Sequence, residues 1–414
     1  MNPFKDSLEK VDPIVYSIIE KERARQTNGL ELIPSESFAP LAVLQALGSV
    51  LNNKYSEGLP GKRYYGGNQY IDEIESLAIE RVKKVFGCEH ANVQPYSGSP
   101  ANIEAYAALM EIGDTAMGMS LMEGGHLTHG YKVSFAGRAW KFVQYGVRRE
   151  DELIDLDAVR KLARECKPKV IVCGATAYPR QIPFKEFAEI AHEVGAYAMA
   201  DISHISGLIA GGVHPSPFPF MDVVTTTTHK TFNGPRGALI MCRAGLAHKI
   251  DKSVFPGFQG GPHNHVTAGI AVAAGLMLKP EFKKYAAQVV ANAKSMAETL
   301  AGEGVRLVTG GTDNHLILAD LSGLGVSGKE AETALDRALI TVNKNLVPFD
   351  SRPPFDPSGI RLGTPAITSR GFNESECAEI GRLIAGVVKS HSNESMISSV
   401  RDRVLELTRQ HPLY

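Results

Sequence analysis

Two segments of the chain end an apolar run with a residue that can do acid–base or nucleophilic chemistry. The first, DVVTTTTHK, runs from Asp222 through four threonines to His229 and Lys230. The second, AYAMADISH, contains Asp201 and His204. Both apolar runs are typical of buried strands, and ligands of open α/β sheets bind at the carboxyl ends of strands. The sequence therefore predicts that a primary amine and a carboxylate meet at one edge of a sheet.

An amine and a carboxylate in one site suit an aldehyde cofactor that carries a protonatable ring nitrogen. Pyridoxal 5'-phosphate (PLP) is the obvious case, with Lys230 forming an imine to the aldehyde. Asp201 would keep the ring nitrogen protonated, so that the ring accepts electrons. Taken singly, Asp201 also fits a helix cap and Lys230 a solvated turn residue. The two residues together favour the cofactor more than either does alone.

The segment QPYSGSPAN supplies a candidate for the phosphate end of the same cofactor. Ser97, Gly98 and Ser99 precede the helical pattern IEAYAALMEI. Backbone N–H groups at a helix N-terminus and serine hydroxyls together form a phosphate-binding site. Plain helix capping by a serine fits the same letters.

The segment MEGGHLTHGY contains His126 and His129, three residues apart. That spacing suggests a metal pair on a helix, but the flanking glycines argue against a helix here. We find no third ligand for the pair in the sequence and predict no metal site. A histidine in a glycine-rich loop can instead lie flat on an aromatic ring.

Arg361 lies in SGIRLGTPAIT, after a predicted strand and before a Thr-Pro break. A guanidinium group there can bind a carboxylate through two parallel hydrogen bonds. A surface ion pair is the plainer interpretation of any single arginine.

The elements that must position these residues alternate between strands and helices. Residues 169–175, 196–202, 222–228 and 237–243 read as buried strands, and residues 184–195 read as a helix ended by Gly195. Such alternation predicts βαβ units around a mostly parallel sheet.

The pattern predicts an N-terminal helical arm and two domains. The arm covers residues 1–25 and needs a surface to pack on, for which a partner subunit is one candidate. A large cofactor-binding domain follows over residues 26–280. Residues 281–414 begin with a long helix and predict a smaller α+β domain with its own sheet. A length of 414 residues agrees with two domains rather than one.

Composition and charge exclude several other classes of protein. A net charge of −1 gives no general attraction to nucleic acid or to acidic membranes. The five cysteines form no CxxC pair, which argues against a disulfide framework and a zinc ribbon. The first residues, MNPFKDSLEK, contain no apolar signal region, and no apolar run approaches the ~20 residues that span a bilayer. We therefore expect a soluble, cytoplasmic protein.

Motifs along nearly the whole chain closely resemble those of the serine hydroxymethyltransferases. The motifs, in chain order, are LELIPSESF (30–38), KYSEGLPGKRYYGG (54–67), VQPYSGSPAN (93–102), GGHLTHG (124–130), the Asp201–His204 segment, TTTTHKT (225–231), FPGFQGGPHNH (255–265), GTDNH (311–315), ITVNKN (340–345) and IRLGTPAIT (360–368). TTTTHKT and KRYYGG are highly specific, and so many motifs in the right order make a chance similarity negligible.

The resemblance implies an α/β PLP-dependent transferase of fold type I. Such a protein has a large domain with a mostly parallel seven-stranded sheet and a smaller C-terminal α+β domain. It also implies a homodimer with shared active sites, or a tetramer built from two dimers. The reaction would be the reversible interconversion of L-serine and glycine through imine and quinonoid intermediates. The one-carbon unit would pass to tetrahydrofolate, giving the 5,10-methylene derivative.

The resemblance also assigns residues to roles, none of them metal binding. The catalytic residues would be Lys230, Glu57, His126, Asp201, Tyr65, His229 and Thr227. The cofactor would contact Lys230, Asp201, His204, Ser97, Gly98, Ser99, His126, Thr176, Tyr55, His229 and Gly261. Serine or glycine would contact Ser35, Glu57, Tyr65, Arg361 and Arg236. Tetrahydrofolate would contact Tyr64, Leu121, Gly125, Leu127 and Asn345. Four of these residues would come from the neighbouring subunit: Tyr55, Glu57, Tyr65 and Gly261.

The chain departs from the family pattern in three segments. Pro34 and Ser37 alter the motif that many members write LIASEN. Ser203 replaces the usual alanine close to the cofactor. Leu346 and Phe349 stand where many bacterial members have serine and asparagine, beside the expected pterin pocket.

Alternative functions follow from these departures and from the shared chemistry. One is a folate-independent aldolase or transaldolase that acts on β-hydroxy amino acids. Others are an α-methylserine hydroxymethyltransferase and an enzyme that uses a methanopterin-type carrier. A different class, a non-catalytic relative that binds RNA or a regulatory partner, has no need for the intact Lys230 and Asp201 pair. Whether Glu57 acts as a base or as a proton donor stays open.

Overall fold

The computed structural model of the chain describes residue 2 and residues 4–413. Its largest sheet has seven strands, which follow one another across the sheet in this order: His90–Asn92, Ala238–Cys242, Val223–Thr227, Tyr197–Asp201, Val170–Cys173, Thr115–Met119 and Lys141–Tyr145. Ala238–Cys242 runs antiparallel to both of its neighbours, and the remaining pairs are parallel. The mostly parallel sheet expected from the sequence is confirmed.

Both faces of this sheet are covered, which explains its near-continuous apolar strands. Val170–Cys173 and Val223–Thr227 are buried at every position. Successive residues of a strand point to opposite faces, so Val223 and Val224 enter two different hydrophobic cores. A helical layer packs on each face. The sheet therefore gives the site at its carboxyl edge a rigid support.

The α-helices alternate with the strands along the chain. They are Leu8–Val11, Pro13–Asn28, Leu41–Leu47, Gln69–Phe86, Gly98–Leu109, Phe135–Ala139, Leu156–Cys166, Phe184–Glu193, Ser206–Ala210, Ala247–Lys252, Asn264–Met277, Pro280–Gly302, Gly328–Arg337, Pro365–Ser369, Glu374–Lys389 and Glu394–Gln410. The helix predicted over 184–195 ends at Glu193, and Gly195 follows it with a left-handed φ of 73°. A glycine adopts that conformation without the steric cost that a side chain adds.

A second, four-stranded antiparallel sheet lies in the C-terminal part of the chain. Its strands, in spatial order, are Arg306–Leu307, Leu316–Asp320, Gly359–Gly363 and Asn343–Asn345. The short strand Leu30–Glu31 pairs in parallel with Ile340–Thr341, and Leu30 lies in the same core as this sheet. The segment around Leu30 therefore packs with the small C-terminal sheet, although it precedes the strands of the large sheet in the chain. The domain boundaries after residues 25 and 280 stay a prediction.

The helix Pro280–Gly302 joins the two cores. Phe282 and Val289 pack into the core of the large sheet, whereas Met296 and Leu300 pack into the core of the small sheet. Because one continuous helix contacts both, it fixes the position of the small sheet relative to the large one.

The N-terminal helix Pro13–Asn28 has no buried residue. Ile14, Val15, Ile18 and Ile19 are exposed to between 42% and 72%. In the part of the chain that the structure describes, no helix is both long enough and apolar enough to span a membrane. The helix Pro13–Asn28 therefore presents an exposed apolar stripe.

Replacing Asn292 by alanine should destabilise the fold, because this buried side chain bonds two helical segments. Its amide donates to the Thr368 hydroxyl at 2.9 Å and to the Phe372 carbonyl at 2.8 Å. Leaving those acceptors unpaired should lower the free energy of unfolding by about 2 kcal/mol, measured by urea denaturation. Lys294→Ala, on the exposed face of the same helix, should change it by less than about 0.5 kcal/mol. Equal effects of the two substitutions would contradict this assignment.

Candidate active site

A cavity of about 420 Å³ opens at the carboxyl edge of the large sheet. It is lined by Ser35, Glu36, Ser97, Gly98, Ser99, His126, His129, Ala175, Thr176, Asp201, Ser203, His204, Thr227, His229, Lys230, Arg236 and Arg361. These residues come from many separate segments of the chain and from both sheets. The structure thus brings the predicted amine and the predicted carboxylate into one cavity.

Asp201 is buried at the floor of this cavity and is surrounded by hydrogen-bond donors. Its Oδ2 accepts from Asn102 Nδ2 at 2.8 Å and from His129 Nε2 at 3.2 Å, and its Oδ1 accepts from the Ser203 N–H at 3.0 Å. Burial alone would raise the pKa of Asp201, but the hydrogen bonds from His129 and from Ser203 hold that pKa below its usual range. The carboxylate is therefore ionised throughout the physiological range.

The donors to Asp201 are themselves oriented by neighbouring groups. Thr225 Oγ1 donates to Asn102 Oδ1 at 2.6 Å, which fixes the amide with its Nδ2 toward the carboxylate. The backbone N–H of His126 donates to His129 Nδ1 at 3.2 Å, so the ring proton of His129 lies on Nε2. The carboxylate consequently sits in a preformed arrangement of donors.

His126 is a neutral ring beside this network. Its Nδ1 accepts from the Thr128 N–H at 3.2 Å and lies 2.7 Å from the Thr128 hydroxyl. Burial lowers the pKa of His126 to about 4. A ring that stays uncharged near neutral pH can pack against an aromatic cofactor without cost in charge desolvation.

The expectation that no third ligand accompanies His126 and His129 was wrong. Asp201 joins them, and one ligand atom from each of the three residues lies within 4.8 Å of the others. The sequence could not show this, because Asp201 is brought in by the packing of a distant strand. His129 also received no role from the sequence, although its spacing from His126 in GGHLTHG was the available signal. The prediction that the site holds no metal stays a prediction.

Lys230 follows the strand Val223–Thr227 in a tightly bonded turn. Thr228 Oγ1 donates to the Pro235 carbonyl at 2.6 Å, and Thr231 Oγ1 donates to the His204 carbonyl at 3.0 Å. The N–H of Asn233 donates to the Lys230 carbonyl at 3.0 Å. The hydroxyls of Thr228 and Thr231 therefore bond backbone carbonyls and stabilise the turn that holds Lys230 at the cavity.

The amine of Lys230 is strongly perturbed. Burial lowers the pKa of Lys230 to about 8, Asp201 opposes that shift, and Arg361 and Arg236 add to it. A lysine with a pKa near neutrality has an appreciable unprotonated fraction, the form that acts as a nucleophile. The site thus contains an activated amine rather than a solvated turn lysine.

The helix Gly98–Leu109 begins at the cavity with free backbone donors. The Ser97 side chain makes no capping hydrogen bond, so the N–H groups of the first turn remain available for an anion. A Cβ atom on Gly98 would lie 2.6 Å from Thr227 Cγ2, so glycine is needed for this close approach. His229 Nδ1 is buried and has no hydrogen-bond partner among the described residues. The plain capping interpretation of Ser97 is therefore not supported.

Arg361 reaches the cavity from the small sheet. Its Nη1 donates to the Thr176 carbonyl at 2.5 Å, and its Nε donates to Asn343 Oδ1 at 3.1 Å. Burial lowers the pKa of Arg361 to about 10, which still leaves the guanidinium charged at neutral pH. Ser35 lines the same part of the cavity, so the two suit a carboxylate ligand.

His204 lines the cavity beside a histidine that the sequence gave no role. His204 Nδ1 lies 3.3 Å from His315 Nε2, and both rings are buried. The signal for His315 was the motif GTDNH, but its contact with His204 joins residues 111 positions apart.

The four residues predicted to come from a neighbouring subunit do not line the cavity. They form a separate cluster in which Tyr55 Oη donates to Glu57 Oε1 at 3.1 Å and the rings of Tyr55 and Tyr65 are 5.1 Å apart. Gly261 packs against the Tyr55 ring. Tyr55 and Tyr65 are about half exposed, at 54% and 48%. The cluster therefore lies on the surface of the chain.

The residues predicted for tetrahydrofolate do not line the cavity, and Tyr64 lies with the Glu57 cluster, since its N–H donates to the Glu57 carbonyl at 3.1 Å. The Gly125 carbonyl accepts from Thr176 Oγ1 at 3.1 Å, which ties the loop of Leu121 to the cavity. Leu127 and Tyr64 are exposed, and Asn345 Nδ2 donates to the Leu346 carbonyl at 2.7 Å. Their role as a pterin site stays a prediction.

The residues of the cavity fit bound PLP. The ionised Asp201 lies on its floor, and the amine of Lys230 has a lowered pKa. The start of the helix Gly98–Leu109 offers uncapped N–H groups, and His229 adds a buried nitrogen without a partner. These are the donors and the nucleophile that an aromatic aldehyde phosphate requires.

Comparison with known proteins gives a consistent result over almost the whole length. A family model described as serine hydroxymethyltransferase matches residues 8–384. A curated serine hydroxymethyltransferase of Desulfotalea psychrophila is 55% identical over 406 residues, which cover 98% of this chain and 95% of that protein.

Replacing Gly98 by alanine should weaken cofactor binding, because the new methyl group would collide with Thr227 Cγ2 at 2.6 Å and displace the start of the helix. We expect the dissociation constant of PLP, followed by its absorbance on titration, to rise roughly tenfold or more. The double variant Gly98→Ala, Thr227→Ser removes the colliding methyl group and should recover most of the affinity. Wild-type affinity in the single variant would contradict the proposed close approach.

Proposed function

The chain belongs to the serine hydroxymethyltransferase family, and we propose that it interconverts serine and glycine in the cavity between Lys230 and Asp201. It is a PLP-dependent glycine hydroxymethyltransferase with tetrahydrofolate as its co-substrate. The observation that supports this location is the convergence of an amine of lowered pKa and an ionised carboxylate in one cavity.

When bound, PLP supplies a carbonyl group that condenses with amines and a ring that accepts electrons. Lys230 is the amine that holds the cofactor. The Asp201 carboxylate holds a proton at the ring nitrogen, and its own donors keep it ionised for that task. His126, Thr176 and His204 would hold the ring of the cofactor. Ser97, Gly98, Ser99 and His229 would bind its phosphate, and Thr227 would support the turn.

The substrate carboxylate binds to Arg361 and Ser35. Arg361 is already oriented by the Thr176 carbonyl and by Asn343, so little side-chain entropy is lost when the carboxylate binds. Glu57 moves a proton at the substrate hydroxyl as a general acid or base. Tyr65 faces the substrate side chain, and Arg236 supports Tyr65. Removal of the hydroxymethyl group then requires Glu57 to come within reach of this cavity.

We propose a homodimer in which each chain completes the site of the other. Glu57, Tyr55, Tyr65 and Gly261 are gathered outside the cavity of their own chain, which supports a contribution to a second one. The exposed apolar stripe of the helix Pro13–Asn28 supports a partner surface as well. Homodimers typically have two-fold symmetry, so a contact between one cavity and the partner's Glu57 cluster would occur twice in the dimer.

We also propose a site for tetrahydrofolate and a cellular compartment for the protein. Tetrahydrofolate binds with its pterin end near Tyr64, Leu121, Gly125, Leu127 and Asn345. The small-molecule ligands are serine, glycine and tetrahydrofolate, and we propose no nucleic acid or membrane partner. All five cysteines are free, which supports a reducing compartment such as the cytoplasm.

Replacing Lys230 by alanine tests the proposed site directly. Without its amine the protein should lose the visible absorbance of lysine-bound PLP, and transfer of labelled carbon from serine to tetrahydrofolate should fall by about 10³-fold or more. Lys294→Ala, an exposed lysine of the helix Pro280–Gly302, should leave both unchanged. Retention of the visible band in the Lys230 variant would refute the assignment. If the wild-type protein releases carbon from serine at the same rate with and without tetrahydrofolate, a folate-independent aldolase would be favoured.

Mixing two inactive variants tests whether the sites are shared. If Glu57 acts in the partner's cavity, a hybrid dimer of Lys230→Ala and Glu57→Gln subunits contains one intact site. Random association makes half of the dimers hybrid, so co-expression should restore about a quarter of the wild-type activity.

The matched control combines two variants whose changed residues belong to the same cavity, Lys230→Ala and Asp201→Ala. Their hybrid dimers contain no intact site and should stay inactive. Recovery in this control, or none in the first mixture, would show that Glu57 does not act across the interface.

A further inference from the structure

We infer that His315 is a positioning residue for cofactor chemistry: it fixes which ring nitrogen of His204 carries the proton in the cavity. The inference deepens the proposed function and rests on the cavity around Lys230 and Asp201 being the active site. It starts from a pair of buried histidines that the roles above leave unexplained.

The two rings form a close and isolated pair. His204 Nδ1 lies 3.3 Å from His315 Nε2, and the rings are nearly parallel, with an angle of 26° and centroids 5.5 Å apart. His204 is 5% exposed and His315 is 1% exposed. Of the two histidines, His204 lines the cavity and His315 does not, so the contact with His204 is the direct route from the His315 ring to the cavity contents.

Both rings are neutral, which limits the bond between them to one proton. Burial lowers the pKa of His315 to about 3 and the pKa of His204 well below its usual value, and the charges of Lys230 and Arg361 add to both shifts. A neutral imidazole has one N–H donor and one bare acceptor nitrogen. The shared proton therefore belongs either to His204 Nδ1 or to His315 Nε2.

The choice decides what His204 offers to the cavity. If His204 donates from Nδ1, its Nε2 is bare and accepts a hydrogen bond. If His315 donates instead, His204 carries its proton on Nε2 and donates from there. Nε2 of His204 has no hydrogen-bond partner among the described residues, so no other contact of the chain sets its protonation.

The surroundings of His315 favour the first arrangement. Its Nδ1 has no hydrogen-bond partner among the described residues, but the carbonyl of Pro34 lies close to the ring and opposes the lowering of the His315 pKa that burial causes. A carbonyl accepts and never donates, so it favours the proton on Nδ1 of His315. Nε2 of His315 is then the acceptor, His204 donates from Nδ1, and His204 Nε2 is left as a bare acceptor.

His315 also ties this arrangement to the residues proposed for the substrate carboxylate. It directly precedes the strand Leu316–Asp320, in which Leu318 pairs with Arg361. Its carbonyl accepts from the Thr364 N–H at 3.2 Å, and Pro34 precedes Ser35 in the chain. His315 therefore contacts the small sheet through its backbone, and through its ring it contacts His204 and lies close to the Pro34 carbonyl.

The test replaces His315 by phenylalanine, which keeps a stacked ring and removes the acceptor nitrogen. In holoenzyme labelled with ¹⁵N-histidine, the wild-type His204 signals should show a protonated Nδ1 and a bare Nε2. In His315→Phe the Nε2-protonated form should become populated. We also expect kcat to fall roughly tenfold with the serine KM changed less than twofold, since a lost orienting bond affects the reacting state more than ground-state binding.

Two further variants separate orientation from simple stability. His315→Gln retains an acceptor oxygen and should recover the Nδ1-protonated form and most of kcat. His411→Phe changes a histidine that contacts Phe372 outside the site and should leave the His204 signals unchanged. Identical His204 signals in wild type and His315→Phe would overturn the inference.

The failure of this inference is distinguishable from failure of the proposed function. A wild-type protein with visible lysine-bound PLP and full activity, but with His204 indifferent to His315, rejects only the positioning role. A wild-type protein without bound PLP rejects the site itself.

Discussion

The buried charge of Asp201 is the constraint around which the rest of the site is organised. A carboxylate removed from water is costly unless several donors compensate it. Here the donors come from a helix, a glycine-rich loop and the residue two positions along the chain: Asn102, His129 and the Ser203 N–H. Each of them is fixed by a further bond, so the charge and its proton affinity depend on three distant segments folding together.

The threonine run that precedes Lys230 follows from the same need to satisfy buried polar groups. Thr225 orients Asn102 and Thr228 bonds the Pro235 carbonyl, while Thr231, directly after Lys230, bonds the His204 carbonyl. Valine at these positions would fit the strand but would leave those partners unpaired. A β-branched residue with a hydroxyl therefore meets two requirements at once, the preference of a strand and the hydrogen bonding of a catalytic turn.

The sequence predicts local structure and single residues well here, and contacts between distant segments poorly. Runs of apolar β-branched residues and a glycine after a helix indicated the strands and the end of Phe184–Glu193, because those signals are local. Lys230 and Asp201 were visible because each breaks an apolar run. The contacts of His129 with Asp201 and of His315 with His204 were not visible, since they depend on tertiary packing. The same reason explains why a third ligand beside His126 and His129 was missed.

The charges of the cavity account for its ligands as a set. His126, His204 and His229 have pKa values lowered chiefly by burial, so they are neutral at physiological pH. The positive charges then come from Lys230, Arg236 and Arg361, against Asp201 and Glu36. The positive groups outnumber the negative ones, so the cavity attracts an anionic phosphate and a substrate carboxylate. The chain's own cluster around Glu57 lies outside the cavity, which is why we propose that a second copy supplies the additional acid–base group. Charge complementarity therefore favours the binding of cofactor and substrate by residues of one chain, whereas the proposed proton transfer by Glu57 depends on two chains.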